Sequence, residues 1–348
     1  MELTDNLNIV QFKPLITPEQ LKEKYPLTDE TAHIVAESRR VLQAILTNKD
    51  KRRIVITGPC SLHDKEASFD YARRLKKLQD KFAKKLLIIM RAYFEKPRTT
   101  VGWKGIIYDP YLDGSYDIEE GLTRARDILL AIGKIGLPCA TEFLDPIVPQ
   151  YIADLISWAA IGARTAESQI HRQMASGLSM PIGFKNATDG NLTSAVDAVK
   201  AAASPHSFMG ISRDGQVIIA ETRGNKFCHL VMRGGTDSPN YAAEYVAFAG
   251  VLLKKAGIPN GIIIDCSHAN SYKDWRLQRN ALFDVAGQIK SDTNLIIGVM
   301  LESFIVTGSQ KPAKPENLTY GLSVTDGCIG WEETEELINT FADAVNIK

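Results

Sequence analysis

No apolar run in the 348-residue chain approaches the roughly 18 residues needed to cross a bilayer; the longest, such as Leu86–Met90, fall far short. The opening MELTDNLNIVQF is acidic and polar, without a basic n-region or an apolar h-region, so no secretory signal and no membrane partner are expected. Charge of one sign is not in excess either. Lys+Arg and Asp+Glu both number 41, which removes the broad basic field of a general nucleic-acid binder. Cysteine is scarce and odd in number (Cys60, Cys139, Cys228, Cys266, Cys328), with no CxxC pair. That suits a reducing cytoplasm and leaves single thiols for packing or metal work. There is no low-complexity linker and no evident internal repeat.

What is present is an ordinary globular composition, 45% hydrophobic and 24% charged, which rules out disordered and collagen-like classes. At roughly 150 residues per domain the length allows two domains, or one α/β barrel with additions. The pattern favours the barrel. From about residue 30 amphipathic stretches such as His33–Thr47 and Glu66–Phe82 alternate with short apolar runs. The runs are 54–58, 86–94, 139–143, 159–164, 181–186, 229–235, 261–268 and 295–303. Eight such runs separated by helices predict a parallel sheet closed into a (β/α)8 barrel, one catalytic unit over 1–348. Two additions stand outside it. Residues 1–30 contain TPEQLKEKYP, a short capped helix stopped by Pro26, and residues 206–223 alternate around Asp214-Gly215 as an inserted β-hairpin. Neither is needed for a catalytic barrel, so both are expected to serve interfaces or regulation.

Each apolar run ends in a polar or ionisable group: Cys60, Arg91, Glu142, Arg164, Lys185, Arg233, Asp265 with His268, and Glu302. A single charge at a strand end is usually solvated. Eight in one barrel share the face where such folds build active sites. Arg91, Lys96, Arg98, Arg164, Lys185 and Arg233 form a cationic set suited to carboxylate and phosphate, with Lys104 as readily a surface residue. A phosphorylated small molecule is the expected substrate. Cys60, His268, Glu302 and Asp326 form a second, mixed S/N/O set. It suits one divalent ion such as Mn, Fe, Co or Zn rather than Ca, although a lone buried Cys is more often packing.

Six motifs occur in order: GPCSLHD (58–64), RAYFEKPRTTVGWKG (91–105), IGARTAESQ (161–169), GFKNATDG (183–190), MRGGTDSPNY (232–241) and DCSHAN (265–270). On these the chain closely resembles the type I, feedback-regulated 3-deoxy-D-arabino-heptulosonate-7-phosphate (DAHP) synthases. The resemblance implies a (β/α)8 barrel with an N-terminal extension and an inserted hairpin. It implies condensation of phosphoenolpyruvate with erythrose 4-phosphate, the first step of the shikimate pathway toward aromatic amino acids. By motif matching, Cys60, His268, Glu302 and Asp326 are the metal ligands. Arg91, Lys96, Arg164, Lys185 and Arg233 match phosphoenolpyruvate contacts, and Arg98 and Thr99 the erythrose 4-phosphate site. The catalytic set is then Lys96, Glu142 and His268, with Glu142 expected to orient or deprotonate the attacking water. Small departures are Ala166, Ala187 and Phe304, none of which removes an ionic group. Cys328, two positions past Asp326, is expected to lie near Cys60.

The same resemblance implies an allosteric pocket for an aromatic amino acid. Its matching positions are Asp5, Asn6, Ile9, Gln150, Ser179, Phe208, Gly210 and Ala220. Gly at 210 is similar to the tyrosine-sensitive members, where Ser marks the phenylalanine-sensitive ones, so tyrosine is the expected inhibitor. Family members assemble as homodimers or homotetramers. The rival readings are an octulosonate 8-phosphate synthase, against which KPRTT and the N-terminal extension argue, and a non-catalytic phosphometabolite sensor.

Overall fold

The computed structural model describes residues 4–236, 238–291 and 293–346; residues 1–3 of the expected N-terminal extension lie outside them. In chain order the elements are α1 (Pro18–Lys24), α2 (Asp29–Leu46), β1 (Arg53–Gly58), α3 (Lys65–Phe82), β2 (Leu86–Arg91), α4 (Ile118–Ile135) and β3 (Cys139–Glu142). There follow α5 (Val148–Ile152), β4 (Trp158–Ile161), α6 (Gln169–Gly177), β5 (Ile182–Lys185), α7 (Thr193–Ala202), and the hairpin β6 (Ser207–Ile211) and β7 (Val217–Glu221). The chain ends with β8 (Cys228–Met232), α8 (Ala243–Lys255), β9 (Ile262–Asp265), α9 (Gln278–Lys290), β10 (Ile296–Glu302) and α10 (Trp331–Ala344). Eight strands close in the order β1-β10-β9-β8-β5-β4-β3-β2, every neighbouring pair parallel, so the expected (β/α)8 barrel is the fold.

Alternation along the strands sorts two cores. Ile54, Ile56, Ile89, Ala160, Val231, Ile263 and Met300 fill the barrel interior, and Leu42, Ile45 and Leu46 of α2 plug its N-terminal end. Val55, Ile88, Met90, Ile182 and Leu230 face the helical ring instead. Gly183 is bare because a Cβ there would meet the Trp158 ring at 2.4 Å. That indole, fully buried, donates its N–H to His229 Nε2 at 3.1 Å, so this nitrogen carries no proton. Burial pushes the His229 pKa down to about 4. Between pH 6.5 and 4 the unfolded chain therefore binds a proton that the native chain does not, and stability falls as the pH drops through that window. The expected loss saturates at ~3 kcal/mol. Urea unfolding at pH 7 and 4.5 measures it, and His229→Gln should flatten the slope; an unchanged slope would assign it to other groups.

Every strand run read from sequence except 54–58, which ends with β1, overshoots at its carboxyl end. Ladder pairing stops at Gly58, Ile161 and Met232, so Cys60, Arg164 and Arg233 stand in the loops just beyond rather than on the strands. His268 likewise follows β9 in a short 3-10 turn. The reason is local: these residues must face the cavity, and a paired strand would aim alternate side chains into the wall. Helix α2 also begins earlier than the amphipathic signal suggested, because Thr28 caps it and Asp29 and Glu30 fill its first turn.

The inserted hairpin enters and leaves at the amino-terminal end of the barrel. Just after it, Asn225 donates to Met180 O and Leu178 O ahead of β5, and Arg213 O accepts the Glu19 N–H of α1. The short α1 is capped as expected, by a Thr17–Gln20 capping box.

Candidate active site

A cavity of about 420 Å³ opens at the carboxyl ends of the strands. Lys96, Arg98, Glu142, Arg164, Lys185, Arg233, His268, Glu302 and Asp326 line it, which gathers nine of the residues read from sequence on one surface. Lys104 is exposed and outside it, and Thr99 is exposed and does not line it. Arg91 is placed differently from the expectation of a substrate contact. It is fully buried in the floor, where its guanidinium donates to Glu302 Oε1 at 3.0 Å and to the carbonyls of Pro59 and Cys60.

The mixed donor set converges. One ligand atom each from Cys60, Glu302 and Asp326 lies within 4.8 Å of the others. His268 Nε2 stands 3.8 Å from Glu302 Oε1. Its other ring nitrogen is held by Asp265 Oδ2 at 2.9 Å and Ser267 Oγ at 2.7 Å, the arrangement that orients a metal-binding imidazole. Thiol, imidazole and two carboxylates fit a borderline divalent ion, so the residues present suit the expected cofactor. The charges suit it too. Burial, with Glu302 next to it, pushes the Cys60 thiol up to about 12 despite Lys96, so a cation at this point is what would ionise it. Burial opposes ionisation of Asp326, but Lys96 and His268 outweigh it and hold the carboxyl below its usual range. For Lys96, burial works against the charge, and Cys60, Glu302 and Asp326 overcome it and keep the ammonium protonated. Its Nζ donates to Cys60 Sγ at 3.1 Å. Cys328 lies close by, its sulfur accepting the Cys60 N–H at 3.4 Å.

Around the cavity wall, Glu142 is packed against bare Gly162, where a Cβ would sit 2.3 Å from its Oε1. Lys185 pairs with Asp265 at 3.0 Å, both buried. Asp265 is thus shared between a substrate-side cation and the His268 ring, a role its place at a strand end did not disclose. Gln278 of α9 brackets the Glu302 backbone, donating to its carbonyl at 2.9 Å and accepting its N–H at 2.8 Å. A buried Asn186–Asn240–Asn270 network fixes the Arg233 loop; Asn186 Oδ1 accepts the Arg233 N–H at 2.8 Å. All three amides fall within the motifs GFKNATDG, MRGGTDSPNY and DCSHAN, but sequence alone assigns them no role. Ala166, Ala187 and Phe304 are all buried and none lines the cavity.

Residues 24–339 match the model of the DAHP synthetase I family. The chain belongs to that family. Three Escherichia coli (strain K12) phospho-2-dehydro-3-deoxyheptonate aldolases are similar over nearly their whole length. The Phe-sensitive one is 50% identical over 99% of this chain and 98% of its own, and the Trp-sensitive one 49% over 100% of both. The Tyr-sensitive one is 49% identical over 98% of this chain and 96% of its own. The structure of phospho-2-dehydro-3-deoxyheptonate aldolase from Francisella tularensis SCHU S4 superposes with a TM-score of 0.95 at 50% identity, covering 97% of this chain and 98% of that one. This DAHP synthase is therefore equally distant from relatives of three sensitivities, and overall identity does not select among them.

The residues expected to bind a regulator come from several parts of the chain. Phe208 and Gly210 of β6 and Ala220 of β7 share the half-buried face of the hairpin. Gln150 lies in α5 and Ser179 in the turn before β5, both exposed. Asp5, Asn6 and Ile9 are exposed on the N-terminal segment and bond locally, Asn6 Nδ2 to Asp5 and the Ile9 N–H to Asn6 O.

Proposed function

We propose that the synthase condenses phosphoenolpyruvate with erythrose 4-phosphate and water, releasing phosphate, with one divalent ion of the Mn, Fe, Co or Zn group, and that tyrosine inhibits it. The observation that carries the reaction is a cavity in which Lys96, Arg98, Arg164, Lys185 and Arg233 surround a thiol–imidazole–carboxylate cluster. Two phosphorylated anions repel one another, and these cations hold them while compensating their charge. Lys96, Arg164, Lys185 and Arg233 are assigned to phosphoenolpyruvate, and Arg98 with Thr99 to the aldehyde's phosphate. Cys60, His268, Glu302 and Asp326 would hold the ion, which supplies Lewis-acid stabilisation where the aldehyde oxygen gains charge. Arg91 acts through Glu302, fixing that carboxylate from below. Glu142, fixed against Gly162 at the cavity surface, orients and deprotonates the water that adds at C2 of the enolpyruvate before phosphate leaves. Assay of phosphate release with erythrose 4-phosphate and with arabinose 5-phosphate tests the reading. Preference for the five-carbon aldehyde, or no release from either, would overturn it.

The chain is read as one catalytic unit with regulatory additions at 1–30 and 206–223, working as a homodimer or homotetramer in the cytoplasm. Val10, Phe12, Met209, Val217 and Ile219 support the assembly, because each is a large apolar side chain left largely exposed in one copy. All five cysteines are free, in keeping with a reducing compartment. Tyrosine is favoured because Gly210 lacks the hydroxymethyl that would crowd a phenol, and Asn6 offers a neutral partner for its hydroxyl. A side chain at 210 is sterically permitted, since a Cβ would meet Ala220 and Phe208 only at ordinary contact distances of 3.8 and 4.0 Å. Gly210→Ser should therefore fold normally and shift inhibition from tyrosine toward phenylalanine. Tyrosine is expected to weaken substrate affinity about 5–150-fold in the parent. Equal or greater sensitivity of the parent to phenylalanine would remove the specificity claim.

A further inference from the structure

Two neighbouring loops frame the cavity: the one after β2 carries Lys96 and Arg98, and the one after β3 follows Glu142 and supplies Leu144. Glu95 joins them. Its side chain is 1% exposed and does not line the cavity. Oε2 accepts the Leu144 N–H at 3.2 Å, and Oε1 accepts the Asp145 N–H at 3.0 Å. The Tyr108 hydroxyl, from the stretch leading to α4, lies 3.2 Å from Glu95 Oε1 and 3.3 Å from Asp145 Oδ2. His171 of α6 braces the same loop, its Nε2 2.7 Å from Leu144 O.

A hydroxyl carries one proton, so Tyr108 donates to only one of the two carboxyl groups it touches. With both ionised, the second would face the hydroxyl oxygen with no proton between them. A proton on Glu95 resolves the conflict: Glu95 donates to Tyr108, and Tyr108 donates to Asp145. We propose that Glu95 is a positioning residue which, in its protonated form, latches the β2 and β3 loops together, and that its ionisation loosens the erythrose 4-phosphate end of the cavity. The proposal rests on the assignment of Arg98 to that end.

The surroundings agree. Burial, against the two backbone N–H donors and helped by Asp145, raises the Glu95 carboxyl to about 8. The titratable groups facing it are Asp145 from the β3 loop and Tyr108; the adjacent Lys96 turns its ammonium to Cys60. The raised value means that the latch is closed at neutral pH and opens as the pH climbs past about 8.

The test is the pH dependence of initial rates, from pH 6 to 10, with each substrate varied in the metal-loaded enzyme. In the parent, kcat/KM for erythrose 4-phosphate should fall above pH 8, approaching tenfold per unit, while that for phosphoenolpyruvate falls less. Glu95→Gln is neutral at every pH. It still donates to Tyr108 and accepts from Leu144, and loses the bond from Asp145. It should keep at least about a tenth of the parent kcat/KM at pH 7, the worth of one such bond, and should lack the alkaline fall. Glu95→Ala should raise KM for erythrose 4-phosphate at least tenfold at pH 7, and Gln should rescue most of that. An alkaline fall persisting in Glu95→Gln at the same pH overturns the proposal even if the alanine variant does not fold, and so does an alanine variant with the parent KM. Failure of the parent to release phosphate from the two substrates would count against the enzyme reading instead.

Discussion

Exhaustive chelation is expected to abolish turnover, and Mn, Co or Fe to restore it. The donor set carries the expectation, since the ligand atoms of Cys60, Glu302 and Asp326 share a 4.8 Å span beside the His268 ring. Removing an outer-sphere partner of such a site typically costs 10–100-fold, so loss of a ligand itself should exceed about 100-fold in metal affinity and activity. Cys60→Ala is the sharpest variant, because its sulfur is buried and its removal leaves the backbone bonds at that position intact. Metal content by elemental analysis gives a readout that does not depend on turnover. A Cys60→Ala protein fully active in metal-free buffer would overturn the ligand assignment.

Lys185→Met is expected to cost both stability and catalysis. The lysine and Asp265 are buried together at 3.0 Å, and the substitution removes the cation in direct contact with that carboxylate. Breaking one side of a buried ion pair costs up to about 3–5 kcal/mol, less the share that Arg91 and Arg233 still compensate, which urea unfolding would register. The lost cation at the cavity wall should lower kcat by about 10²–10³-fold, the scale of removing one preorganised charge-stabilising donor. The double variant Lys185→Met/Asp265→Asn separates the two effects. It should recover most of the stability, since no bare charge remains, and little of the activity, since the cation stays absent and the His268 ring loses its Asp265 partner. A double variant as unstable as the single one would show that packing rather than charge holds this part of the floor.

Much of this was legible in the residues, for a physical reason. A barrel strand buried on both sides must be apolar until it reaches the mouth, so Arg91, Glu142, Lys185, Asp265 and Glu302 stood out as the first ionisable groups after each run. The same rule hides where each side chain points. Arg91 ends its strand like Lys185, yet one lies under the floor and the other on the wall, and only the three-dimensional register separates them. Pairings between distant elements are not readable from the residues alone, even where both partners sit in recognisable motifs. Gln278 grips Glu302 across 24 positions, and Asn270 reaches Asn240 across 30. The N-terminal residues Asp5, Asn6 and Ile9 were grouped with the hairpin by resemblance; among the described residues, Thr17 and Glu19 contact it.

The hairpin joins the barrel at the end opposite the cavity, its base anchored beside Met180 where β5 begins. A molecule held there shares no space with either substrate and is separated from them by the length of a strand, on the order of 15 Å. Inhibition from that side would therefore act by changing the shape or softness of the barrel rather than by occupying its mouth. Excess substrate would not simply displace it. If the proposed inhibitor binds there, the two ends can vary independently: lesions in 206–223 would relieve inhibition while leaving the catalytic constants near those of the parent. Selection for overproducing strains would be expected to accumulate changes at this end of the barrel and to spare the other.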